Sequence, residues 1–372
     1  MIKIGITGQA GFVGTHLYNT LGLFSEEFQR IDFHKEYFED EVRLNDFVSQ
    51  CDVIVHLAAM NRHNDPQVIY DTNLGLVQKL IQSLTQTNSK AHVVFSSSTQ
   101  EEKNNLYGRS KKEGRELMRY WAENSGGQFT GMIIPNVFGP FGHPNYNSVV
   151  ATFCHQLAHG ETPQIDVDGD MQLIYVGELV AVIIQAIRSG KSNEEVRVLP
   201  TSGSKVSEIL ALLEKYQSDY QDKGEIPAIK NSFELNLFNT YRCYMDIAHH
   251  FPAKYTQHTD PRGTFVEVIR LGVGGQVSFS TTVPGITRGN HYHTRKIERF
   301  AVIKGKALIQ LRRIGTEEVL DYYLDGNEPA YVDMPIWYTH NIKNIGVEVL
   351  YTNFWINEFY DANDPDTYFE NV

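Results

Sequence analysis

Cysteine is scarce in this sequence: three in 372 residues, Cys51, Cys154 and Cys243, with no paired spacing. A disulfide framework is therefore not expected, and a reducing, cytoplasmic setting is. Long apolar runs are missing too. No stretch approaches 18 uninterrupted apolar residues, so no membrane-spanning helix is expected. The richest run, Leu179 to Ile187, contains Gln185 and reads as a core helix. The opening Met1-Ile-Lys-Ile-Gly-Ile-Thr-Gly8 lacks the charged segment, long apolar stretch and cleavage site of a targeting signal. Basic charge is in deficit, with 33 Lys and Arg against 45 Asp and Glu and a net charge of −12. Non-specific nucleic-acid binding needs the opposite balance and is set aside, although a small anion can still meet a local basic pocket. Low-complexity tracts and internal repeats are missing as well.

What is present begins with size, since 372 residues point to two domains. The 41% apolar and 21% charged composition is that of an ordinary globular chain, and histidine, at fourteen, is abundant. The first half alternates short apolar runs (2–7, 51–57, 91–96) with helical patterns such as 12–23. That alternation predicts an α/β, doubly wound parallel sheet of Rossmann type. After about residue 245 the runs become short, alternating and punctuated by Gly or Pro, which predicts an all-β barrel or sandwich. The expected domains are residues 1–245 and 255–372. The polar stretch 217–230 reads as a late loop of the first, and 249–259 as the linker.

A glycine-rich turn, Gly8-Gln-Ala-Gly11-Phe12-Val13-Gly14, follows the first strand and opens a helix. Glycine permits a tight turn and lets backbone N–H groups approach a pyrophosphate at a helix N-terminus. The spacing is GxxGxxG rather than GxGxxG, and it gains its meaning from the strand before and the helix after. Asp32, eighteen residues past Gly14, is placed to bond the ribose 2′-OH of NAD. His34 and Lys35 follow at once and suit the 2′-phosphate of NADP, so the residues leave both cofactors open. Farther on, Ser96-Ser97-Ser98 ends a strand, and Tyr107 and Lys111 lie four apart on one helix face. A phenol of pKa near 10 is poorly matched to neutral pH. A neighbouring ammonium favours the phenolate, and a serine hydroxyl can bond the same substrate oxygen.

These motifs resemble the extended short-chain dehydrogenase/reductases, which act mostly on nucleotide sugars. The resemblance covers residues 1 to about 245. It rests on the three glycines, His56-Leu57-Ala58-Ala59, Asn73, Ser98, Tyr107-x-x-x-Lys111 and Asn136-Val-Phe-Gly-Pro140. It implies hydride transfer between a nicotinamide and a sugar carbonyl. Tyr107 would carry the proton, Lys111 would bind the nicotinamide ribose and lower the tyrosine pKa, and Ser98 would polarise the carbonyl. Gly8, Gly11, Phe12, Val13, Gly14, Asp32, Lys35, Leu57, Ala58, Ala59 and Asn73, with Tyr107 and Lys111, would bind the cofactor. Asn136, Asn145 and Asn147 would hold substrate. One departure is Ile133, where many members carry arginine.

The C-terminal part carries Gly285-x5-His291-Tyr-His293-x4-Glu298-x6-Gly305, and later Pro335-Ile-Trp337-Tyr338-Thr-His340-x3-Asn344. His291 and His293 are two apart on a predicted strand and share a face. Three imidazoles and a carboxylate suit Zn, Ni, Mn or Fe(II). The pattern resembles the two motifs of the cupin superfamily, a double-sheet β-barrel, with Trp337 where glycine is usual. The stretches Asp260-Pro-Arg262-Gly-Thr-Phe-x-Glu267 and 285–291 also resemble metal-free dTDP-sugar epimerases, in which the position of His291 is a base. His293, Glu298 and His340 favour the ligand role for His291. Tyr338 and Lys296 lie near the ligands in sequence as candidate bases.

A 4-keto sugar links both sites. The ketone acidifies the C3–H, a metal can stabilise the enolate, and the reductase can then reduce C4. The whole chain resembles the bifunctional capsular-polysaccharide epimerase/reductases of the UDP-N-acetyl-L-fucosamine pathway, including 144–149, 151–154, 289–291 and the tail 363–368. That resemblance implies NADPH, zinc in the cupin and a homodimer. It further implies UDP-2-acetamido-2,6-dideoxy-β-L-arabino-hexos-4-ulose as substrate and the L-talo sugar nucleotide as product. The alternatives are a reductase of another nucleotide 4-keto sugar with the cupin as a structural or dimerisation module, and a non-enzymatic NADP sensor.

Overall fold

The computed structural model describes residues 1–261 and 263–372. The chain divides into two compact units, Met1–Thr152 with Asp168–Val206, and Phe153–Val167 with Ser207–Val372.

In the first unit the strands are β1 (Ile2–Thr7), β2 (Phe28–Ile31), β3 (Val53–His56), β4 (His92–Ser98), β5 (Gln128–Ile134), β6 (Asn136–Phe138), β7 (Asp170–Tyr175), β8 (Asn193–Arg197) and β9 (Ser202–Lys205). Six of them form a parallel sheet in the order β2-β1-β3-β4-β5-β8, and β6-β7-β9 form a small second sheet. The helices are α1 (Phe12–Gly22), α2 (Glu41–Gln50), α3 (Pro66–Gln86), α4 (Leu106–Ser125), α5 (Val149–Ala158), which ends in the second unit, and α6 (Val176–Ser189). The period-2 alternation of the strands decides the layers. Ile4, Val55 and Val94 pack with Leu17 and Leu21 of α1 and the 179–187 run of α6, the expected core helix. Ile54, Val93 and Phe95 turn to the other face, against Phe47 of α2, Leu80 of α3 and Met118 of α4. Such a two-sided cover is what parallel strands with helical crossovers require.

Local signals fix where the important helix starts. The Asn105 side chain accepts from Gly108 N at 2.7 Å, so α4 begins with Tyr107 in its first turn. It stops at Gly126, which is left-handed at φ 73°.

The second unit contains β10 (Ala253–Lys254), β11 (Gln257–Asp260), β12 (Gly263–Val266), β13 (Gln276–Thr282), β14 (Thr287–Tyr292), β15 (Glu298–Lys304), β16 (Lys306–Arg313), β17 (Val319–Asp325), β18 (Ala330–Met334), β19 (Tyr338–Asn344), β20 (Leu350–Ile356) and β21 (Tyr368–Phe369). Two five-stranded sheets, β10-β18-β15-β20-β13 and β17-β16-β19-β14-β21, give the cupin-like double-sheet architecture. Their pairings are antiparallel, and Val302, Ala307, Ile309, Leu311, Val332 and Leu350 are buried in this unit.

The stretch 217–230, expected as a late loop of the first domain, belongs instead to this unit. The reason is a buried polar network. Arg299 on β15 grips Asp333 on β18 through two bonds of 2.7 and 2.9 Å. The Tyr220 hydroxyl donates to Asp333 at 2.6 Å, and the Arg242 guanidinium donates to the Met334 carbonyl at 2.9 Å. Polar residues that read as solvent-facing are spent on satisfying a buried ion pair. The pattern-based boundary at 245–255 marks the change of secondary structure, whereas the compact units also place 153–167 and 207–245 with the sheets.

Candidate functional site

The first site is a cleft of about 1100 Å³ in the first unit. Gly8, Gly11, Phe12, Val13 and Gly14 line it, with Lys35, the segment Leu57, Ala58 and Ala59, and Ser98, Tyr107, Lys111, Asn136, Asn145 and Asn147. Two glycines are demanded by geometry. Gly8 sits at φ 79°, and a Cβ on Gly14 would lie 2.2 Å from the Gly8 carbonyl oxygen. The chain therefore runs back-to-back at the mouth of α1, where backbone N–H groups can face an anion.

At the other side of the cleft, Ser98 Oγ accepts from Gln100 N at 3.2 Å, which leaves its O–H to donate. The Lys111 side chain is buried, with Nζ donating to Ser96 Oγ at 3.4 Å and lying 5.0 Å from the Phe95 ring centroid. Burial pulls Lys111 down to about 8, partly countered by the Glu101 charge. Burial also pushes the Tyr107 hydroxyl up to about 12, with a further push from Tyr146. The sequence led us to expect Tyr107 to be lowered by Lys111; the desolvation of both side chains wins instead. A phenol held protonated is a proton donor, the role a carbonyl reduction needs.

The second site lies in the second unit and draws on both sheets. His291 and His340 face each other across β14 and β19, and Glu298 opens β15. A register shift in β14 between Gly289 and His291, with Asn290 at φ 61°, re-aims the strand at this point. Glu298 Oε2 lies 3.2 Å from His293 Nε2, 3.1 Å from His340 Nε2 and 4.0 Å from His291 Nε2. The four donor atoms all fall within 4.8 Å of one another. His293 Nδ1 meets the Asp366 carbonyl at 2.5 Å and His340 Nδ1 the Tyr338 carbonyl at 3.2 Å, so both rings turn Nε2 inward. Burial drives His291 down to about 3, helped by His340. Burial opposes ionisation of Glu298, yet the hydrogen bonds of His293 and His340 hold its carboxyl well below the usual range. His340 Nε2 is fully buried beside the Glu298 carboxylate. Three imidazoles and a carboxylate converging on one buried spot are a donor set that fits a divalent cation.

Residues 4–198, just over half the chain, match the NAD dependent epimerase/dehydratase family. The chain belongs to this family. Residues 258–368 match the Polysaccharide biosynthesis C-terminal domain. Along its length the chain is 32% identical over 374 residues to the UDP-2-acetamido-2,6-beta-L-arabino-hexul-4-ose reductase of Pseudomonas aeruginosa, covering 99% of this chain and 98% of that one. Among solved structures it is similar to the capsular polysaccharide assembling protein CapF of Staphylococcus aureus, with 35% identity, a TM-score of 0.63 and complete coverage of both chains. RMD of Pseudomonas aeruginosa, solved with NADPH, shares the fold of 59% of this chain, at 20% identity and a TM-score of 0.54.

Within this family frame, two of the expected cleft residues stand apart from the lining. Asp32 accepts from the Tyr18 hydroxyl at 2.7 Å, while Lys35 lines the cleft. Asn73 is buried behind it, accepting from Met60 N at 2.7 Å and donating to Met60 O and Ser110 Oγ. It braces the 57–60 loop against α4. Ile133, where an arginine is common, is buried in β5 and takes nothing from the cleft wall. Trp337 explains its own departure: it sits at φ 62°, the conformation glycine adopts freely. It is kept there by stacking on Tyr292 at 5.7 Å and by its N–H bond to the His293 carbonyl at 2.8 Å. Arg262, in the epimerase-like stretch, lies outside the described residues. Of the two candidate bases, Lys296 is buried with Nζ on the Pro365 carbonyl at 2.6 Å, and burial pushes Tyr338 up to about 12. Sequence reasoning missed Tyr146, which lines the cleft and accepts from Asn61 N at 3.2 Å. Its position inside 144–149 was the available signal.

Proposed function

We propose that the protein reduces the C4 ketone of UDP-2-acetamido-2,6-dideoxy-β-L-arabino-hexos-4-ulose with NADPH, after C3 epimerisation at the His/Glu site, to give the L-talo sugar nucleotide. The chain is an oxidoreductase acting on a nucleotide sugar, and the finer assignment draws on the name of its full-length Pseudomonas relative. The observation that carries the reading is the meeting of a glycine cradle with Ser98, Tyr107 and Lys111 in one cleft.

The cofactor supplies the hydride. Ser98 orients the ketone by donating its hydroxyl proton, and Tyr107 delivers its phenolic proton to the C4 oxygen. Lys111, cationic below about pH 8, offsets the negative charge that the phenol leaves behind. Lys35 at the cleft wall, with Asp32 engaged by Tyr18, supports NADP over NAD. At the second site His291, His293, Glu298 and His340 would hold a divalent cation, by our reading zinc, which would supply a Lewis acid for charge developing at the C4 oxygen. Epimerisation comes first because reduction removes the ketone that acidifies the C3–H. We assign reduction to residues 1–245 and epimerisation to 255–372, in a cytoplasmic homodimer. No helix among the described residues is long and apolar enough to cross a membrane.

The test is incubation with the UDP-4-keto sugar and NADPH in D2O, followed by product NMR. Stoichiometric NADPH oxidation with deuterium at C3 is expected. Turnover without C3 deuterium would reduce the second site to a structural module, and no oxidation at all would overturn the reading.

A further inference from the structure

Asp366 lies in the C-terminal tail, between β20 and β21, and is 1% exposed. Its carboxylate is fully engaged. Oδ1 accepts from Thr294 N at 3.0 Å and from Thr294 Oγ1 at 2.6 Å. Oδ2 accepts from Arg295 N at 3.0 Å and Lys296 N at 3.1 Å. One tail residue thus holds the turn 294–296 that joins two members of the second site, His293 and Glu298. Its backbone does more. The Asp366 carbonyl meets His293 Nδ1 at 2.5 Å. A carbonyl only accepts, so the Nδ1 proton is assigned and the Nε2 lone pair is left facing inward. Asp366 reaches this double contact at φ 38°, an uncommon conformation for a residue with a side chain, stabilised by the four bonds to its carboxylate. Neighbouring tail contacts act the same way, with Lys296 Nζ on the Pro365 carbonyl and Arg295 paired with Asp364 at 2.9 Å.

We propose that Asp366 is a positioning residue of the His/Glu site, fixing the ring and turn geometry, and hence the cation affinity, from outside the ligand set. The proposal rests on the reading of that site as a divalent-cation site. The mechanical content is specific: the carboxylate sets the turn, and the carbonyl sets the His293 tautomer. Removing one carboxylate oxygen leaves buried N–H groups unsatisfied, and the turn relaxes to find other partners. His293 and Glu298 then lose their common aim.

The experiment compares the full chain with Asp366→Asn, Thr294→Val and His340→Ala. Zn2+ affinity is read by competition with a chromophoric chelator, and ligand geometry by the visible spectrum of the Co2+ form. The melting of the zinc-free chains serves as the fold control. The wild-type chain is expected to bind one Zn2+, and His340→Ala to lose it. Asp366→Asn is expected to bind it about 10- to 100-fold more weakly, with an altered Co2+ band. Thr294→Val, which removes one of the four donors, is expected to weaken binding by a smaller factor. A residue that only stabilised the fold would lower the melt and leave affinity and spectrum unchanged, and that result overturns the proposal. If Asp366→Asn does not fold, unchanged Zn2+ affinity in Thr294→Val overturns it. A wild-type chain that binds no Zn2+ or Co2+ brings down the underlying site reading itself, a distinct result.

Discussion

Tyr107 and Lys111 stand one turn apart on α4, and burial moves their acidities in opposite directions, the phenol up to about 12 and the ammonium down to about 8. The phenol therefore keeps its proton across the working range, while the lysine loses its charge as pH rises through about 8. NADPH-dependent reduction should hold level near neutrality and fall above about pH 8 with a single ionisation. Lys111→Arg should move that fall to higher pH. A profile that stays flat well past pH 8 would separate Lys111 from the chemistry. Tyr107→Phe should cost about 100-fold or more in reduction while deuterium exchange at C3 continues.

The cradle can be probed by a pair of matched substitutions. A Cβ at position 14 would lie 2.2 Å from one backbone oxygen and 2.8 Å from another, whereas one at position 75 meets nothing within 4 Å. Gly14→Ala should weaken NADPH binding more than tenfold and destabilise the fold by about 1–3 kcal/mol, because backbone must shift. Gly75→Ala, inside α3, should stabilise by about 0.5–1 kcal/mol and leave NADPH binding alone. Titration of NADPH fluorescence and urea melts read both.

His56 predicts acid sensitivity. It is buried at the end of β3, with Nδ1 2.7 Å from Thr7 Oγ1 and its ring stacked on Phe95. Burial, reinforced by the Lys111 charge, drives it down to about 3. Between about pH 6.5 and 3 the unfolded chain binds a proton that the folded chain refuses, so stability falls as pH falls. The slope is about 1.4 kcal/mol per pH unit from this residue. Urea melts at successive pH values should show a shallower slope in His56→Gln, and equal slopes in both proteins would rule the assignment out.

Chelation should act on the second unit first. A ligand held by the folded state alone stabilises by about 4 kcal/mol at a thousandfold excess over its Kd. Treatment with a strong chelator should lower the melting temperature and stop C3 exchange, and added Zn2+ should restore both. Glu298→Gln should reproduce the loss without chelator.

Legibility followed range. The alternation of strands with helices, the glycine cradle, the Tyr107–Lys111 spacing and the His291–His293 pair are local patterns, and each lands where its spacing puts it. What escaped depends on contacts between distant segments. Nothing near Asp32 announces that Tyr18 will donate to it. Nothing in 217–230 reveals that Tyr220 completes an ion pair formed by Arg299 and Asp333 more than seventy residues on. Asp366 was visible only as part of a shared tail, and its grip on the turn after His293 emerges from tertiary structure. The Tyr107 acidity was misjudged for a similar reason: charge proximity can be read from spacing, but desolvation cannot.

The division of the chain has a consequence for anyone who would cut it. Each compact unit is assembled from two separate stretches, because 153–167 leaves the first and returns to it at 168. Joining two ready-made domains end to end would leave each contiguous. Here a single scission near residue 250 would strand 153–167 and the helices Val206–Tyr216 and Ser232–Arg242 on the fragment that lacks the sheets they belong with. Separating reduction from the proposed epimerisation calls for inactivating substitutions in the intact chain rather than for fragments.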